Sequence, residues 1–342
     1  MNDYWAAVLG ASIVSLLAPL AAKPLLLHFG VVDIPNARSS HDRSVIRGAG
    51  IAPLLAFGVG CVVLLIGSGN SAGFGFLPVI AGVAIAAGLL GIIEDIFGLR
   101  VGVRASLQLV IGAIGSVVVF LIADGTWWSV VIFGLAIAAY INVANFMDGI
   151  DGISGFIGLV VGGTYVVLGL IVDTQWLIVA GSILAVAFAG FLPWNLGRGG
   201  VFLGDAGSYL LGSSIAIIGI CAISSGAPVV AVIAPSVIYL SDTGVTLARR
   251  VLRGERWFES HRGHFYQRLT DLGLSHVRVA AIVALASALT GSLGLLGANF
   301  PPLLPLCLCL MVVIAAAYLS LHGAIRVLRD RRSLEIQKRT TT

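Results

Sequence analysis

Charge is scarce in this chain. Asp, Glu, Lys and Arg make up 11% of its 342 residues, while 58% are hydrophobic. A soluble domain carries about 25% charged and 45–50% apolar residues. The mean hydropathy of +1.04 points the same way. So little charge excludes a soluble globular enzyme and a disordered chain. Cysteine is scarce too. Cys61, Cys221, Cys307 and Cys309 lie in apolar runs, with no zinc spacing and no histidine beside them. That excludes a disulfide-stapled module and leaves them as small core or lipid-facing residues. The leader Met1-Asn2-Asp3-Tyr4-Trp5 lacks positive charge, so the first apolar run does not read as a cleavable signal peptide.

What is present is a succession of apolar stretches. About 20 apolar residues are needed for a helix to cross the hydrocarbon core. Eleven stretches qualify, centred on 5–28, 49–68, 76–93, 105–122, 127–145, 154–172, 176–192, 208–224, 228–247, 279–297 and 303–321. The expected fold is an all-α polytopic membrane protein. Residues 1–322 form one integral membrane domain, and 323–342 form a basic tail. On this map all 20 Lys and Arg fall on one side, while the opposite loops carry only Asp3, Asp124 and Asp173. The positive-inside rule then puts the N-terminus outside and the C-terminus in the cytoplasm. Most acids share the basic side. Ionisable groups at a bilayer are expensive and mark function, so chemistry is expected in loops 30–48, 94–104, 142–155, 193–208 and 248–278.

Five constellations carry it. Asp33-Ile-Pro-Asn-Ala-Arg38-Ser-Ser-His41, followed by Arg47-Gly48-Ala49-Gly50, reads as a turn-rich loop before a helix N-terminus, a setting that suits a phosphate. Glu94-Asp95 ends the third span; two adjacent carboxylates repel each other and invite a cation or a shared proton. Asn142-Val-Ala-Asn145-Phe-Met-Asp148-Gly149-Ile-Asp151-Gly152-Ile-Ser154-Gly155 is the densest. Its three-residue spacing would drift around a continuous helix, so a helix should end, a glycine-rich loop present both acids, and the next span begin. Phe202-Leu-Gly204-Asp205-Ala-Gly207-Ser208 places an acid between glycines, either near a metal or diphosphate or as a helix cap. The long loop holds His261-Arg262-Gly263-His264-Phe-Tyr-Gln-Arg-Leu269, where seven arginines across the loop region favour an anionic substrate over a metal. Asp242 lies two helical turns before Arg249-Arg250, as a substrate contact or as a buried polar contact with another span. Carboxylates, arginines and glycine loops on one face describe magnesium-assisted phosphoryl transfer, and the bilayer suggests a lipid substrate.

The Asn-x-x-Asn-Phe-Met-Asp-Gly-Ile-Asp-Gly and Phe-Leu-Gly-Asp-x-Gly-Ser strings, in that order, resemble the polyprenyl-phosphate N-acetylhexosamine-1-phosphate transferases of the glycosyltransferase family 4 type. The likeness spans about residues 30–270. The His-Arg-x-His-x-Tyr-Gln-Arg-Leu form is similar to the subgroup that initiates O-antigen and other surface polysaccharides, including lipopolysaccharide. The resemblance implies transfer of a sugar-1-phosphate, an N-acetylhexosamine or a 6-deoxy relative, from a UDP-sugar to undecaprenyl or another polyprenyl phosphate at the bacterial inner membrane, with release of UMP. It implies Mg²⁺, with Mn²⁺ as the alternative. The partners are the lipid, the UDP-sugar and the bilayer, with a homodimer left open and no nucleic acid. Carried over by position, Asp205 and Asp95 are metal residues. Asp95, Glu94, Asp148 and Asp151 are catalytic. Asn142, Asn145, Arg38, His41, Arg47, Asp242, His261, Arg262 and His264 contact substrate. Two positions depart from the family: Glu94 replaces an Asp, and Ala49 interrupts a glycine run.

Direct attack by the lipid phosphate, with Asp95 positioning or deprotonating it, competes with a route through a covalent carboxylate on Asp148 or Asp151. A transporter of an anionic nucleotide-sugar or phosphorylated substrate is the alternative function. It would set its polar groups near the midplane, often in repeated halves.

Overall fold

The computed structural model describes residues 2–28, 30, 32–33, 45–68, 74–197, 200–256 and 262–340. Arg38, His41 and His261 lie outside them. The described chain is helical almost throughout, because a backbone in lipid must satisfy its own N–H and C=O groups. All eleven expected spans are present as helices: α1 (Asn2–His28), α2 (Ile51–Ser68), α3 (Leu77–Phe97), α4 (Val101–Ala123), α5 (Trp127–Met147), α6 (Ile153–Ile171), α7 (Gln175–Ala189) continued by α8 (Leu192–Asn195), α9 (Gly204–Ser224), α10 (Val229–Ile233) continued by α11 (Val237–Leu252), α13 (His276–Asn299) and α14 (Leu304–Thr340). Ten of them are long and apolar enough to cross a membrane, and the apolar run of α2 is shorter, Ile51–Gly67.

Three details differ from the sequence reading. The ninth span is broken by a tight 3₁₀ turn at Ala234–Ser236, where Pro235 interrupts the helical ladder. The loop before α13 contains a short helix, α12 (Phe265–Asp271). The residues read as a basic tail continue the last span as helix, since α14 runs on without a break to Thr340.

The helix α9 sits at the centre, with residues 205–215 all buried, and α3, α5, α2 and α7 pack around it. Lipid offers no hydrophobic drive between helices, so they associate through close packing of small residues. At the α6–α7 crossing, a Cβ on Gly162 would lie 2.6 Å from the Gly181 carbonyl oxygen, and any larger side chain would pry the pair apart. Large apolar side chains face outward on the peripheral helices, such as Leu9 and Leu20 on α1, Ile114 and Leu121 on α4, and Val312 on α14. Trp5 and Trp127 begin α1 and α5 at one end of the bundle and are exposed, as in an interfacial aromatic belt. The polar residues gather at the other end.

Candidate active site

The strand-like segment before α2 runs beside the segment before α9. Strands β1 (Val32–Asp33) and β2 (Val45–Ile46) pair antiparallel, and Ile46 bridges Val201 in parallel. The Phe202 N–H donates to the Ile46 carbonyl at 2.8 Å, and the N–H groups of Ala49 and Gly50 donate to the carbonyls of Phe202 and Leu203 at 3.0 and 2.7 Å. This pairing delivers Arg47 to the start of α9. It also explains Gly50, which lies so tightly on Gly207 that a Cβ would collide with the backbone. Gly50 therefore serves backbone approach here.

Asp95 lies near the end of α3. One turn earlier, Gly91 lets α3 touch the Asp205 backbone, which sets Asp95 beneath the N-terminus of α9. Its carboxylate accepts the backbone N–H groups of Asp205 and Ala206, both at 3.0 Å. These are donors that no helical carbonyl can reach, and the helix dipole adds to the attraction. Arg47 then joins the two acids, Nε lying 2.9 Å from Asp95 and Nη2 2.7 Å from Asp205. The other Asp205 oxygen accepts from Asn145 Nδ2 at 2.5 Å, and that amide also donates to Ser208 Oγ at 3.1 Å. Both carboxylates are nearly enclosed, while the Arg47 side chain is 39% exposed. A ligand arriving from solvent meets Arg47 first.

The helix before Asp148 ends at Met147 and α6 starts at Ile153, as the polar spacing predicts. Gly152 turns the chain at φ +85°. Its N–H donates to Asn195 Oδ1 at 2.5 Å, and Asn195 Nδ2 donates to the Val201 carbonyl at 3.0 Å. Asn195 thus staples the Asp148 loop to the strand-like segment before α9. Asp148 accepts from Ser154 Oγ at 2.6 Å. Burial pushes its pKa up to about 7; the Ser154 hydrogen bond works against the rise, and the nearby charges of Asp205 and Asp95 add to it.

The remaining expected residues are distributed around this centre. Glu94 does not act beside Asp95. It accepts the Leu99 N–H at 2.8 Å and pairs with Arg104 at 3.3 Å, closing the α3–α4 turn. Asn142 faces α4, donating to Gln108 Oε1 at 2.6 Å. Asp151 pairs with the His276 ring at 2.9 Å. Asp242 is fully buried, in contacts between spans. It accepts the N–H groups of Phe265 and Tyr266 at 3.0 and 3.1 Å, the Tyr318 hydroxyl at 2.6 Å, and faces His264 Nδ1 at 3.0 Å. His264 is buried as well, capping α12, whose Tyr266 hydroxyl donates to the Phe146 carbonyl at 3.0 Å. The pair therefore braces the Asp148 loop from behind. Arg262 pairs with Asp271 at 2.8 Å.

Sequence reasoning did not single out Asn195, His276, Tyr266, Tyr318 or Arg104. Asn195 was within reach, as a polar residue ending an apolar run. The others take their meaning from partners 76 to 125 residues away, or from a turn, and carry no local signal.

Among the described residues no group of three His, Cys, Asp or Glu side chains could hold a metal by itself. The donor chemistry nevertheless suits a hard cation. A carboxylate can accept about four hydrogen bonds. Asp205 uses two and Asp148 one. A small divalent ion needs only one or two carboxylates when substrate phosphates and water complete its shell.

The fold and the site together define a polytopic membrane protein with an Arg-bridged carboxylate centre at one end of its helices. The glycosyl transferase family 4 model matches residues 77–223, from α3 through α9. It is 26% identical to the probable undecaprenyl-phosphate N-acetylglucosaminyl 1-phosphate transferase of Bacillus subtilis (strain 168), over 80% of each chain. It is 28% identical to the decaprenyl-phosphate N-acetylglucosaminephosphotransferase of Mycolicibacterium smegmatis, over 81% of this chain and 78% of the relative. Against the undecaprenyl-phosphate alpha-N-acetylglucosaminyl 1-phosphate transferase of Escherichia coli (strain K12), identity is 28% over 93% of this chain and 90% of the relative.

Proposed function

We propose that the protein transfers a sugar-1-phosphate from a UDP-sugar to polyprenyl phosphate at the cytoplasmic face of the bacterial inner membrane, releasing UMP and starting a surface polysaccharide. The observation that supports this most is the convergence of Asp95, Asp205, Asn145 and Asp148 around one exposed arginine. The relatives named above carry polyprenyl phosphate and N-acetylglucosamine in their names, which makes UDP-N-acetylglucosamine the first donor to test. Gathering of the polar groups at one end of the bundle speaks against the transport alternative, which calls for a midplane site.

In this reading Asp205, with Asp95, would hold Mg²⁺, which neutralises phosphate charge when bound. Arg47 transfers from the two carboxylates to a phosphate of the incoming substrate, exchanging one charge-assisted contact for another. Asp95 already serves the α9 N-terminus and Arg47, so it positions the site. Asp148, with a pKa near neutrality, is better matched to taking a proton from the lipid phosphate monoester. Asn145 fixes the Asp205 rotamer.

The decisive experiment supplies purified protein with Mg²⁺, polyprenyl phosphate and a panel of UDP-sugars, and measures UMP. Release that needs both lipid and metal, with one sugar preferred, is expected. No UMP from any donor, together with uptake of a UDP-sugar into proteoliposomes, would overturn the reading.

A further inference from the structure

A second polar cavity lies beside α12 and has no part in the chemistry above. It encloses about 280 Å³ and is lined by Thr246, Arg249, Arg250, Arg253, Glu255, Arg262, Gly263 and Arg268. Among the described residues that line it, five guanidinium groups face one carboxylate. Glu255 is shared by Arg250 at 3.3 Å and Arg253 at 4.0 Å, and Asp271 takes Arg262 at the rim. Arg249 and Arg268 have no carboxylate partner among the described residues. Both instead stand over the Phe265 ring, 4.7 and 5.1 Å from its centre. Arg250 Nε is buried without an acceptor. Burial lowers the pKa of Arg268, and the nearby charges of Arg249 and Arg253 add to it. Like charges held this closely, with donors left over, call for an anion that accepts several hydrogen bonds at once.

Position says which anion. The last turn of α11 carries Val251 and Leu252, 57% and 86% exposed, directly between Arg250 and Arg253. In a membrane-spanning chain, such apolar side chains belong in the acyl boundary, which sets the neighbouring arginines at headgroup depth. Basic pockets at that level bind anionic headgroups. Among the described residues the side chains lining it bond to Asp242, Glu255, Arg256, Gly263 and Asp271, away from Asp95, Asn145, Asp148 and Asp205, which sets the cavity apart from the reaction centre. It is not sealed off from it mechanically, because Phe265, whose ring lies under two of its arginines, is followed by Tyr266, which supports the Asp148 loop.

We propose that this arginine cavity is a binding site for the phosphate of an anionic phospholipid headgroup drawn from the surrounding bilayer. The test uses the full-length protein in detergent and compares the native chain with Arg249→Gln/Arg253→Gln and with Arg249→Lys/Arg253→Lys. Each is titrated with phosphatidylglycerol, phosphatidylcholine, inorganic phosphate and UDP-N-acetylglucosamine, with bound molecules counted by native mass spectrometry. Phosphatidylglycerol should bind the native chain more tightly than phosphatidylcholine does. The glutamine variant should bind it about tenfold more weakly or worse, because each basic residue near a bilayer surface contributes appreciably to anionic lipid attraction. The lysine variant should keep most of the binding, which separates charge from misfolding. Equal phosphatidylglycerol binding by all three chains would overturn the proposal. So would a selective loss of UDP-N-acetylglucosamine or inorganic phosphate binding in the glutamine variant, since the cavity would then serve a soluble ligand.

Discussion

Two acids in this molecule do the same local job and end in different roles. Asp95 accepts two backbone N–H groups at the start of α9, and Asp242 accepts two at the start of α12. Each satisfies helix-terminal donors from a neighbouring helix. They differ in what completes the shell. Around Asp242 stand His264 and Tyr318, both buried. Around Asp95 stands Arg47, more than a third exposed and shared with Asp205. A polar group whose every partner is sealed inside holds the fold together. One whose partner faces solvent can exchange that partner for a ligand.

The difference predicts opposite outcomes. Asp205→Asn, next to Asp95 in the open cluster, should lower UMP release by about 10²–10³-fold, the scale of losing a main charge-stabilising group, with thermal stability in detergent almost unchanged. Asp242→Ala should do the reverse. It strands two backbone N–H groups, a tyrosine hydroxyl and a histidine in an apolar interior, and breaking such a buried network costs about 3–5 kcal/mol. A large fall in unfolding temperature is expected, seen by scanning fluorimetry. If Asp242→Ala were inactive yet fully stable, the sealed cluster would have to be reassigned to chemistry.

This contrast also marks how far the sequence could be read. The apolar runs told of the spans because the bilayer fixes helix length and excludes unpaired backbone. The Asp148 loop was legible because polar residues every three positions cannot stay on one helical face. Asp242 stayed ambiguous between substrate contact and interhelical contact. Its deciding partners, Phe265 and Tyr318, lie 23 and 76 residues away, and no local pattern encodes such a meeting. Glu94 and Asp95 take different partners for a related reason. Neighbours on a helix point about 100° apart, so adjacency in the chain made them a pair only on paper.

A smaller effect should distinguish Asp148 from both. Its pKa is pushed up to about 7 in the metal-free protein, mainly by burial. A raised carboxylate pKa means the folded state favours the neutral acid. That contribution to stability is fully present at low pH, below the pKa of an unfolded Asp, and is lost as pH rises through about 7. Infrared titration should show one carboxyl ionising near that pH in the native chain and none there in Asp148→Asn. If the step survives the substitution, another acid titrates there and Asp148 loses its claim to the proton.

The smallest effect is expected at Glu94, and it sharpens the rule most. Glu94 is nearly buried and charged, but its partners are an arginine of the same helical hairpin and the Leu99 N–H of the turn between the two helices. Nothing about it opens toward Arg47 or Asp205. Glu94→Gln keeps an acceptor for the turn and weakens only the ion pair with Arg104, so stability should drop by about 1 kcal/mol, with kcat within a few-fold of the native value. A turnover lowered tenfold or more at unchanged stability would mean that Glu94 swings toward the substrate during the reaction. Solvent access in the resting structure would then be the wrong criterion for telling a working acid from a structural one.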